Sequence, residues 1–302
     1  MATHSNRDVA VIGNGLMGSS IARALGRAGW SVTAYDPDTS RSESLAAELP
    51  DRIRAEADLV AAVASARLVL TCAPAYGAVL KTLEAVEDWA GKTLLNTGTS
   101  STEESETAGA WAAERGVPYL DAAILCFPQD IGTERGYVLF SGNAEAWAEH
   151  EKLLGALGPA MRFASEQVQA ASAVDATIVG GVYTAALAGY VEAVAYARSQ
   201  GVGGEVLDEA TDKVLAALKD GTREAVQAID SGDFTTDQAT LEVFLHGGET
   251  VLAGMRRAGF AANVLEAAVR NLKTAEAAGL GKSGFYALAK VAADDSAIRQ
   301  QG

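Results

Sequence analysis

Up to residue 165, short apolar runs alternate with segments whose apolar residues recur at helical spacing. The apolar runs predict strands at 9–13, 31–35, 67–73, 92–96, 118–124, 136–141 and 160–164. Helical spacing occupies 16–28, 39–49, 56–64, 77–89, 102–115 and 145–157. Because strands and helices alternate, the pattern predicts an α/β domain over residues 1–165, with a mostly parallel, doubly wound sheet of the Rossmann type.

After residue 165 the pattern becomes purely helical. Ala-rich helices are predicted at 165–198, 203–230, 236–258, 260–279 and 284–293, with glycines between them. As an α-helix the first would be about 50 Å long, more than one small domain covers. We therefore predict a helix over 166–200 that bridges two domains or two subunits, followed by an all-α domain over 201–302. We expect that domain to complete its core against a second copy, in a domain-intertwined homodimer.

The composition narrows the range of partners. A net charge of −15 disfavours nucleic acid and anionic membranes, since both are polyanions. The longest run without a charge, 176–191, is shorter than the about 20 apolar residues of a membrane span, and the polar N-terminus shows no signal peptide. Cys72 and Cys126 form no CxxC pair, which is typical of buried cysteines in a reducing compartment. No spacing of His, Cys and Asp indicates a metal site, so we expect a soluble cytoplasmic protein without a metal.

A glycine-rich loop joins the first predicted strand to the first helix. Gly13, Gly15 and Gly18 are spaced as Gly-x-Gly-x-x-Gly, which indicates dinucleotide binding when a strand precedes the loop and a helix follows it. Gly13 permits the tight turn, Gly15 lets the backbone approach a pyrophosphate, and Gly18 lets strand and helix pack closely. The first N–H groups of the helix then face the phosphates. The intervening residues expected to contact NAD(P)H are Asn14, Leu16 and Met17.

The second strand is followed by Asp36, 18 residues after Gly18, where such folds place the acid that binds ribose. Its carboxylate would accept hydrogen bonds from both ribose hydroxyls and repel a 2′-phosphate, and Asp38 would add to that repulsion. These two residues favour NADH over NADPH. Arg41 is close enough to bind a phosphate if the loop folds back, which would favour NADPH. Alternatively, Asp36 caps the following helix.

Small and polar residues follow two further strands, and ligands of open α/β sheets lie at the carboxyl ends of strands. We therefore expect these residues to contact the nicotinamide or the substrate. They are Ala73, Pro74, Asn96, Thr97 and Thr99. Thr102 is predicted to be the N-cap of the helix that follows.

The long helix 165–198 carries two side chains suited to proton chemistry, Asp175 and Tyr183. On an α-helix they would lie about 12 Å apart along the axis and about 80° apart around it, facing one cleft without sharing a proton. Tyr183 can donate a proton as a neutral phenol, and an ionised Asp175 can hold an amine. Gly180 and Gly181 cost the helix about 1 kcal/mol each, which predicts that another group, the nicotinamide or the sheet edge, packs closely there. Alternatively, Tyr183 is a core residue and Asp175 a solvated one.

Several stretches of the chain resemble the imine reductase and reductive aminase family, a branch of the β-hydroxyacid dehydrogenase superfamily. They are 13–18, 94–104, 110–124, 130–142, 238–259 and the helix that carries Asp175 and Tyr183. The superfamily's dehydrogenases use a lysine on this helix, whereas this chain has none between Lys152 and Lys213. The aspartate-then-tyrosine pair is most similar to that of the reductive aminases.

The resemblance implies roles for further residues. Thr99 takes the place of the family's loop Asn or Ser, and His246 would enter the substrate cleft from the partner subunit. The family commonly binds the 2′-phosphate of NADPH with an Asn-Arg-Ser/Thr run, where this chain has an acidic run at 36–38. The resemblance thus favours NADPH while the residues favour NADH. The loop that begins at Cys126, an expected substrate contact, departs from the more apolar, proline-rich loop of relatives.

The implied reaction is hydride transfer from NAD(P)H to the carbon of an imine or iminium, with reductive amination of a carbonyl by an amine as an extension. Asp175 would hold the substrate amine, Tyr183 would donate or relay a proton to nitrogen, and Thr99 and Asn96 would position the substrate. An iminium is already cationic, so a lysine would repel it. Two alternatives stay open. One is an alcohol or carbonyl oxidoreductase like the β-hydroxyacid dehydrogenases, and the other is a catalytically inactive nucleotide-binding homologue.

Overall fold

The computed structural model describes residues 7–73 and 76–292. Within them the chain forms two compact units, one around a single sheet that extends to Val182 and one built of helices that begins at Tyr183. The units divide inside a single helical run, Ala170–Ser199. This run begins at Ala170 and not at residue 165 as predicted, because the preceding strand extends through Ser165 and residues 166–169 form a bend and a turn.

The sheet has the strand order of a Rossmann fold. Its strands are β1 (Arg7–Ile12), β2 (Val32–Tyr35), β3 (Ile53–Ala55), β4 (Ala66–Thr71), β5 (Thr93–Asn96), β6 (Tyr119–Ile124), β7 (Tyr137–Gly142) and β8 (Ala160–Ser165). They lie in the order β3-β2-β1-β4-β5-β6-β7-β8, and neighbours are parallel apart from the β6–β7 pair. The predicted doubly wound sheet is thereby confirmed. The sequence pattern does not predict β3, because three residues with Arg54 at their centre give no apolar run.

Helices cover both faces of this sheet. They are α1 (Leu16–Arg27), α2 (Thr39–Glu48), α3 (Leu59–Ala64), α4 (Tyr76–Leu83), α5 (Thr102–Glu114), α6 (Ala144–Leu154) and α7 (Ala170–Val174). Successive side chains of a strand point to opposite faces, so Val9 and Val11 enter the core on one side of β1, while Ala10 and Ile12 enter the core on the other. Two hydrophobic cores therefore sandwich the sheet, as parallel strands require.

The start of α5 differs from the prediction. Ser101 is the N-cap: its Oγ accepts a hydrogen bond from Glu104 N at 3.2 Å, and Glu104 Oε2 accepts one from Ser101 N at 2.9 Å. This reciprocal pair is a capping box, which requires a Glu or Gln three residues after the cap. Thr102 is instead the first residue of α5, and its Oγ1 donates to Glu103 Oε2 at 3.2 Å.

The run Ala170–Ser199 is not a uniform α-helix. A π-helical segment, Asp175–Tyr183, follows α7 and leads into α8 (Thr184–Ser199). Hydrogen bonds in a π-helix join residues five apart, and such segments are frequent at functional sites. The α-helical spacing predicted for Asp175 and Tyr183 is therefore wrong.

Two glycines keep part of the π segment open. A Cβ added to Gly180 would meet the backbone oxygen of Asp175 at 3.7 Å, and one added to Gly181 would meet that of Ala176 at 3.6 Å. No other group of the described residues lies within 4 Å of either position. The sheet edge therefore does not pack against these glycines, and close packing of the nicotinamide there stays a prediction.

The second unit has a small core and a large exposed surface. Beyond α8, its elements are α9 (Gly204–Ser231), α10 (Leu241–Arg257), α11 (Asn263–Ala277) and the 3₁₀ segment Phe285–Val291. The last three bury a cluster around Leu245 and Leu272, whereas α8 and α9 contain no buried residue.

By length and composition alone, Ala170–Ser199 could cross a membrane. Its most apolar window has a mean hydropathy of 1.5, and none of that window is buried within the chain. The charge-free run 176–191 falls short of a span only because Asp175 and Glu192 flank it. A single helix of this kind is weak support for a membrane span, and the absence of a membrane partner stays a prediction.

Candidate active site

The glycine loop packs tightly at two of its glycines and is open at the third. Gly13 has a φ of +96°, and a Cβ there would lie 2.3 Å from the carbonyl oxygen of Cys72. A Cβ on Gly18 would lie 1.9 Å from the carbonyl oxygen of Gly13. A Cβ on Gly15 would meet nothing within 4 Å, and Gly15 stands at the N-cap of α1 with no side chain capping the helix. The first N–H groups of α1 thus face open space, which fits the pyrophosphate of a dinucleotide.

Asp36 holds the loop after β2 in place. Its Oδ2 accepts a hydrogen bond from Asn14 N at 2.7 Å, and its Oδ1 accepts one from Asp38 N at 3.0 Å. The Arg41 guanidinium lies 3.7 Å from Asp36 and 3.3 Å from Asp38, so two carboxylates neutralise it. Asp38, not Asp36, occupies the N-cap position of α2, and the alternative of Asp36 as a helix cap is wrong. The Asn14 side chain is buried and donates to Ser42 Oγ at 3.2 Å.

A cavity of about 310 Å³ lies between the glycine loop, the ends of β4 and β5, β6 and the start of the π segment. Predicted residues that line it are Gly15, Leu16, Met17, Gly18, Ala73, Thr97, Thr99 and Asp175. The sequence reasoning missed Cys72, Gly98, Ala122 and Ile124. Strand alternation offers a signal for the last two, because residues two apart on β6 share a face.

Asn96 was predicted to contact the nicotinamide or the substrate, but it does not line this cavity. The residue is buried, and its Nδ2 donates to the carbonyl of Gly98 at 3.1 Å and to Asp121 Oδ1 at 3.2 Å. Its Oδ1 accepts from Gly98 N at 3.2 Å and from Thr71 Oγ1 at 3.1 Å. With its amide fully used, Asn96 shapes the loop that presents Thr97 and Thr99.

The remaining predicted residues lie elsewhere. Cys126 is half buried and packs against the hydrophobic core, outside the cavity lining. Tyr183, at the end of the π segment, and His246, on α10, belong to the second unit and are exposed, so the alternative of Tyr183 as a core residue of this chain is wrong. Pro74 lies outside the described residues.

Asp175 is the charged group of the cavity lining. Burial raises the pKa of its carboxyl above the ordinary value, and the neighbouring Asp121 raises it further. Burial also raises the pKa of the Cys72 thiol, which keeps it neutral. No Lys, Arg or His lines the cavity among the described residues. The space beside the glycine loop is therefore suited to a cofactor's nicotinamide next to a cationic or amine-bearing substrate.

Comparisons with known proteins agree with this geometry. Residues 8–166 match the NAD binding domain of 6-phosphogluconate dehydrogenase, and residues 167–294 match the C-terminal domain of NADPH-dependent reductive aminase-like proteins. No curated protein sequence matches the chain.

Several solved structures share the fold over nearly the whole length. An imine reductase from Pseudomonas sp. has a TM-score of 0.87 and 26% identity, covering 95% of this chain and 99% of that chain. A reductive aminase from Aspergillus terreus, solved with NADPH and ethyl levulinate, has the same TM-score, identity and coverage (0.87, 26%, 95% and 99%). An imine reductase from Myxococcus stipitatus, solved with NADP+, has a TM-score of 0.86 and 25% identity, covering 94% and 99%.

Proposed function

The chain belongs to the imine reductase and reductive aminase family, and from its cavity we propose how its residues carry out the reaction. It is an NAD(P)H-dependent oxidoreductase that reduces C=N bonds. When bound, the nicotinamide cofactor supplies a hydride to the carbon of the C=N bond. The observation that carries the proposal is the carboxyl of Asp175 lining the same cavity as the glycine loop.

Asp175 holds the substrate nitrogen. Its ionised carboxylate accepts a hydrogen bond from the N–H of an iminium or amine and stabilises the positive charge. Because burial and Asp121 raise the pKa of Asp175, the carboxylate loses its charge at a higher pH than an ordinary aspartate does. We therefore expect amine binding to weaken as the pH falls through that raised pKa.

Tyr183 supplies the proton. A neutral imine nitrogen must gain one proton as its carbon gains a hydride, and a phenol hydroxyl can donate it and regain a proton from solvent. The side chain of Tyr183 is exposed, so it is free to meet a substrate. Thr99, whose side chain is also exposed at the cavity, positions the substrate.

The alternative function, an oxidoreductase that acts on an alcohol or carbonyl, lacks the lysine that would serve as its acid. A β-hydroxyacid dehydrogenase would need the lysine that this helix does not carry, since no Lys occurs between Lys152 and Lys213. The site therefore favours a C=N bond over a C–OH bond as the reacting group.

We further propose that the protein is a cytoplasmic homodimer in which a second copy covers α8 and α9. Glu192, at the edge of the apolar run, accepts hydrogen bonds from Asn263 N at 3.1 Å and Val264 N at 3.2 Å. This contact ties α8 to the start of α11, and α9 carries exposed charges along one side, which suits a protein neighbour better than lipid. In such a dimer, His246 of the partner subunit contacts the substrate and Cys126 lies near the substrate entrance.

The proposal is tested by Tyr183→Phe, with Tyr190→Phe on the same helical run as the matched control. Loss of a general acid lowers turnover by about 100-fold or more, so we expect that fall in kcat on a cyclic imine for Tyr183→Phe alone. The dissociation constants for NADH and NADPH, measured by fluorescence titration, stay unchanged in both variants.

Wild-type turnover in Tyr183→Phe would rule out the assigned role. If the unaltered protein binds the cofactor tightly and reduces no member of a panel of imines and ketone–amine pairs, the alternative that the protein is a catalytically inactive nucleotide-binding homologue is correct instead.

A further inference from the structure

A second carboxyl group, that of Asp121, lies buried in the sheet close to Asp175. It stands in the middle of β6 and is 1% exposed. Its Oδ1 accepts hydrogen bonds from Asn96 Nδ2 at 3.2 Å and from the Tyr119 hydroxyl at 3.4 Å. A central strand seldom holds an acid, because removing a carboxyl from water costs several kcal/mol unless partners surround it. The reaction as proposed makes no use of this group.

Three serine hydroxyls complete the surroundings of Asp121. Its Oδ2 accepts hydrogen bonds from Ser105 Oγ at 3.1 Å and, at close range, from Ser172 Oγ. Ser100 Oγ lies 3.0 Å from Ser105 Oγ and 3.1 Å from Ser172 Oγ. The cluster thus joins α5, the loop that carries Thr99, and α7 at one buried carboxyl.

The link to α7 reaches the part of the cavity wall that carries Asp175. Ser172 is buried and lies three residues before Asp175, so Asp121 anchors the helical turn from which the Asp175 carboxyl enters the cavity. A separate contact anchors the start of α7 without any charge: Ser141 Oγ donates to the carbonyl of Val168 at 2.7 Å and accepts from Ala171 N at 3.0 Å.

Asp121 is also the charged group that acts on Asp175. The elements packed against α7 are β6, β7, β8 and α5. Their other ionisable groups, and those of the adjoining loop, are exposed to solvent or, for the Tyr119 phenol, bonded to Asp121 itself. The exposed ones are Glu103, Glu104, Glu106, Glu114, Tyr137, Arg162 and Glu166. Two nearby carboxyls in a partly buried setting ionise as a pair, because the charge on one opposes the charge on the other.

We propose that Asp121 is a positioning residue for the reaction, which anchors the turn that carries Asp175 and couples the proton of Asp175 to its own charge. This role rests on the proposed function of Asp175. It raises the pH at which the Asp175 carboxyl loses its proton, in a cavity where no basic residue lines the wall among the described residues. The buried serines keep Asp121 from solvent, so its charge is screened from Asp175 mainly on the side where Asp175 faces the cavity.

The test follows the Asp175 carboxyl directly. Protein labelled with ¹³C at the aspartate carboxyls is titrated by NMR, and the Asp175 signal is assigned by its loss in Asp175→Asn. In Asp121→Asn we expect Asp175 to titrate at lower pH than in the unaltered protein, because the neighbouring charge is gone. Ser141→Ala, which loosens α7 without removing a charge, should leave that titration in place.

Two results would overturn the proposal: an unshifted Asp175 signal in Asp121→Asn, or the same shift in Ser141→Ala. If Asp121→Asn does not fold, the reciprocal variant decides. In Asp175→Asn, a substitution at a half-buried position, the Asp121 signal should titrate at lower pH. A titration of Asp121 that does not change would contradict the proposal. The acid limb of kcat/KM on a cyclic imine should move with the signal. Because the NMR readout needs no turnover, a protein that reduces no imine refutes the proposed function and leaves the coupling measurable.

Discussion

The two units of this chain bury their apolar residues to very different extents. In the first, both faces of the sheet are covered by helices of the same chain, and the cavity is lined by residues of that unit alone. In the second unit, α8 and α9 contain no buried residue. Its exposed large apolar side chains include Leu187, Val191, Val206, Val214, Leu218, Val226 and Ile229.

The difference distinguishes the unit that one chain stabilises by itself from the unit that needs a second surface to bury its apolar residues. Each Å² of apolar surface removed from water contributes about 25 cal/mol, so the sheet unit gains that stabilisation on folding alone. A helical unit with long apolar stripes gains it only when another surface covers them. Cofactor binding should therefore depend on the first unit, while the folded state of α8 and α9 should depend on a second copy.

The largest effect is expected from placing charge on the apolar side of α9. Val214→Glu with Leu218→Glu puts two carboxylates where the proposed partner packs. Unpaired buried charges cost several kcal/mol, which corresponds to a dimer weakened by on the order of 1000-fold. Sedimentation over a range of protein concentrations should show monomer, and imine reduction should fall with the dimer fraction.

The matched control adds the same charges to the polar side of α9. Ala216→Glu with Gln227→Glu should leave the dimer intact, since both residues are exposed and lie away from the apolar stripe. A monomeric unaltered protein, or equal weakening in both double variants, would show that α9 is not the covered surface.

A smaller effect, confined to the first unit, is expected at the glycine loop. Gly15→Ala adds a methyl group that meets no atom of the protein and enters the space for the pyrophosphate. We expect the dissociation constant of the cofactor to rise by about tenfold or more, equivalent to about 1.4 kcal/mol, with no change in unfolding temperature. Gly155→Ala, also in open space at the end of α6, is the control and should change neither quantity. Cofactor affinity that is unchanged in Gly15→Ala would place the dinucleotide elsewhere.

Sequence alone predicted the elements whose signals are local. The glycine spacing, the alternation of strands and helices, and the strand ends with small polar residues led to the sheet and to most of the cavity lining. β3 was not predicted because its three residues contain Arg54 and give no apolar run. The π segment was not predicted because the spacing of apolar residues does not distinguish hydrogen bonds between residues five apart from those between residues four apart.

The electrostatics of the site could not be predicted in the same way. Asp121 meets Ser172 across 51 positions of sequence and Ser105 across 16, and only the packing of α5 and α7 on β6 brings them together. Asn96 was predicted to contact a ligand because of its place at the end of a strand. In the folded chain its side-chain amide is hydrogen-bonded to Gly98, Thr71 and Asp121.

A third prediction concerns which dinucleotide the first unit binds. Asp36→Asn keeps an oxygen to accept from Asn14 N and removes the charge that would repel a 2′-phosphate. It also frees Arg41 from one of its two carboxylates. We expect the ratio of NADH to NADPH affinity, measured by calorimetry, to fall by about tenfold. Asp38→Asn, which removes a more exposed charge, should shift the ratio less, and equal affinities in all three proteins would exclude Asp36 from cofactor selection.

The smallest effect should arise at the N-terminus of α5, within the first unit. Ser101→Ala removes the hydroxyl of the capping box, whose loss costs about 1 kcal/mol. Thr102→Ala is the control, because the Thr102 hydroxyl bonds to the side chain of exposed Glu103 and takes no part in the capping box. Thermal unfolding of Ser101→Ala should shift by the same amount at every protein concentration, whereas the unfolding of the α9 double variant should depend on concentration. A concentration-dependent shift in Ser101→Ala would mean that the sheet unit, too, is stabilised by the second copy, and the contrast between the units would then fail.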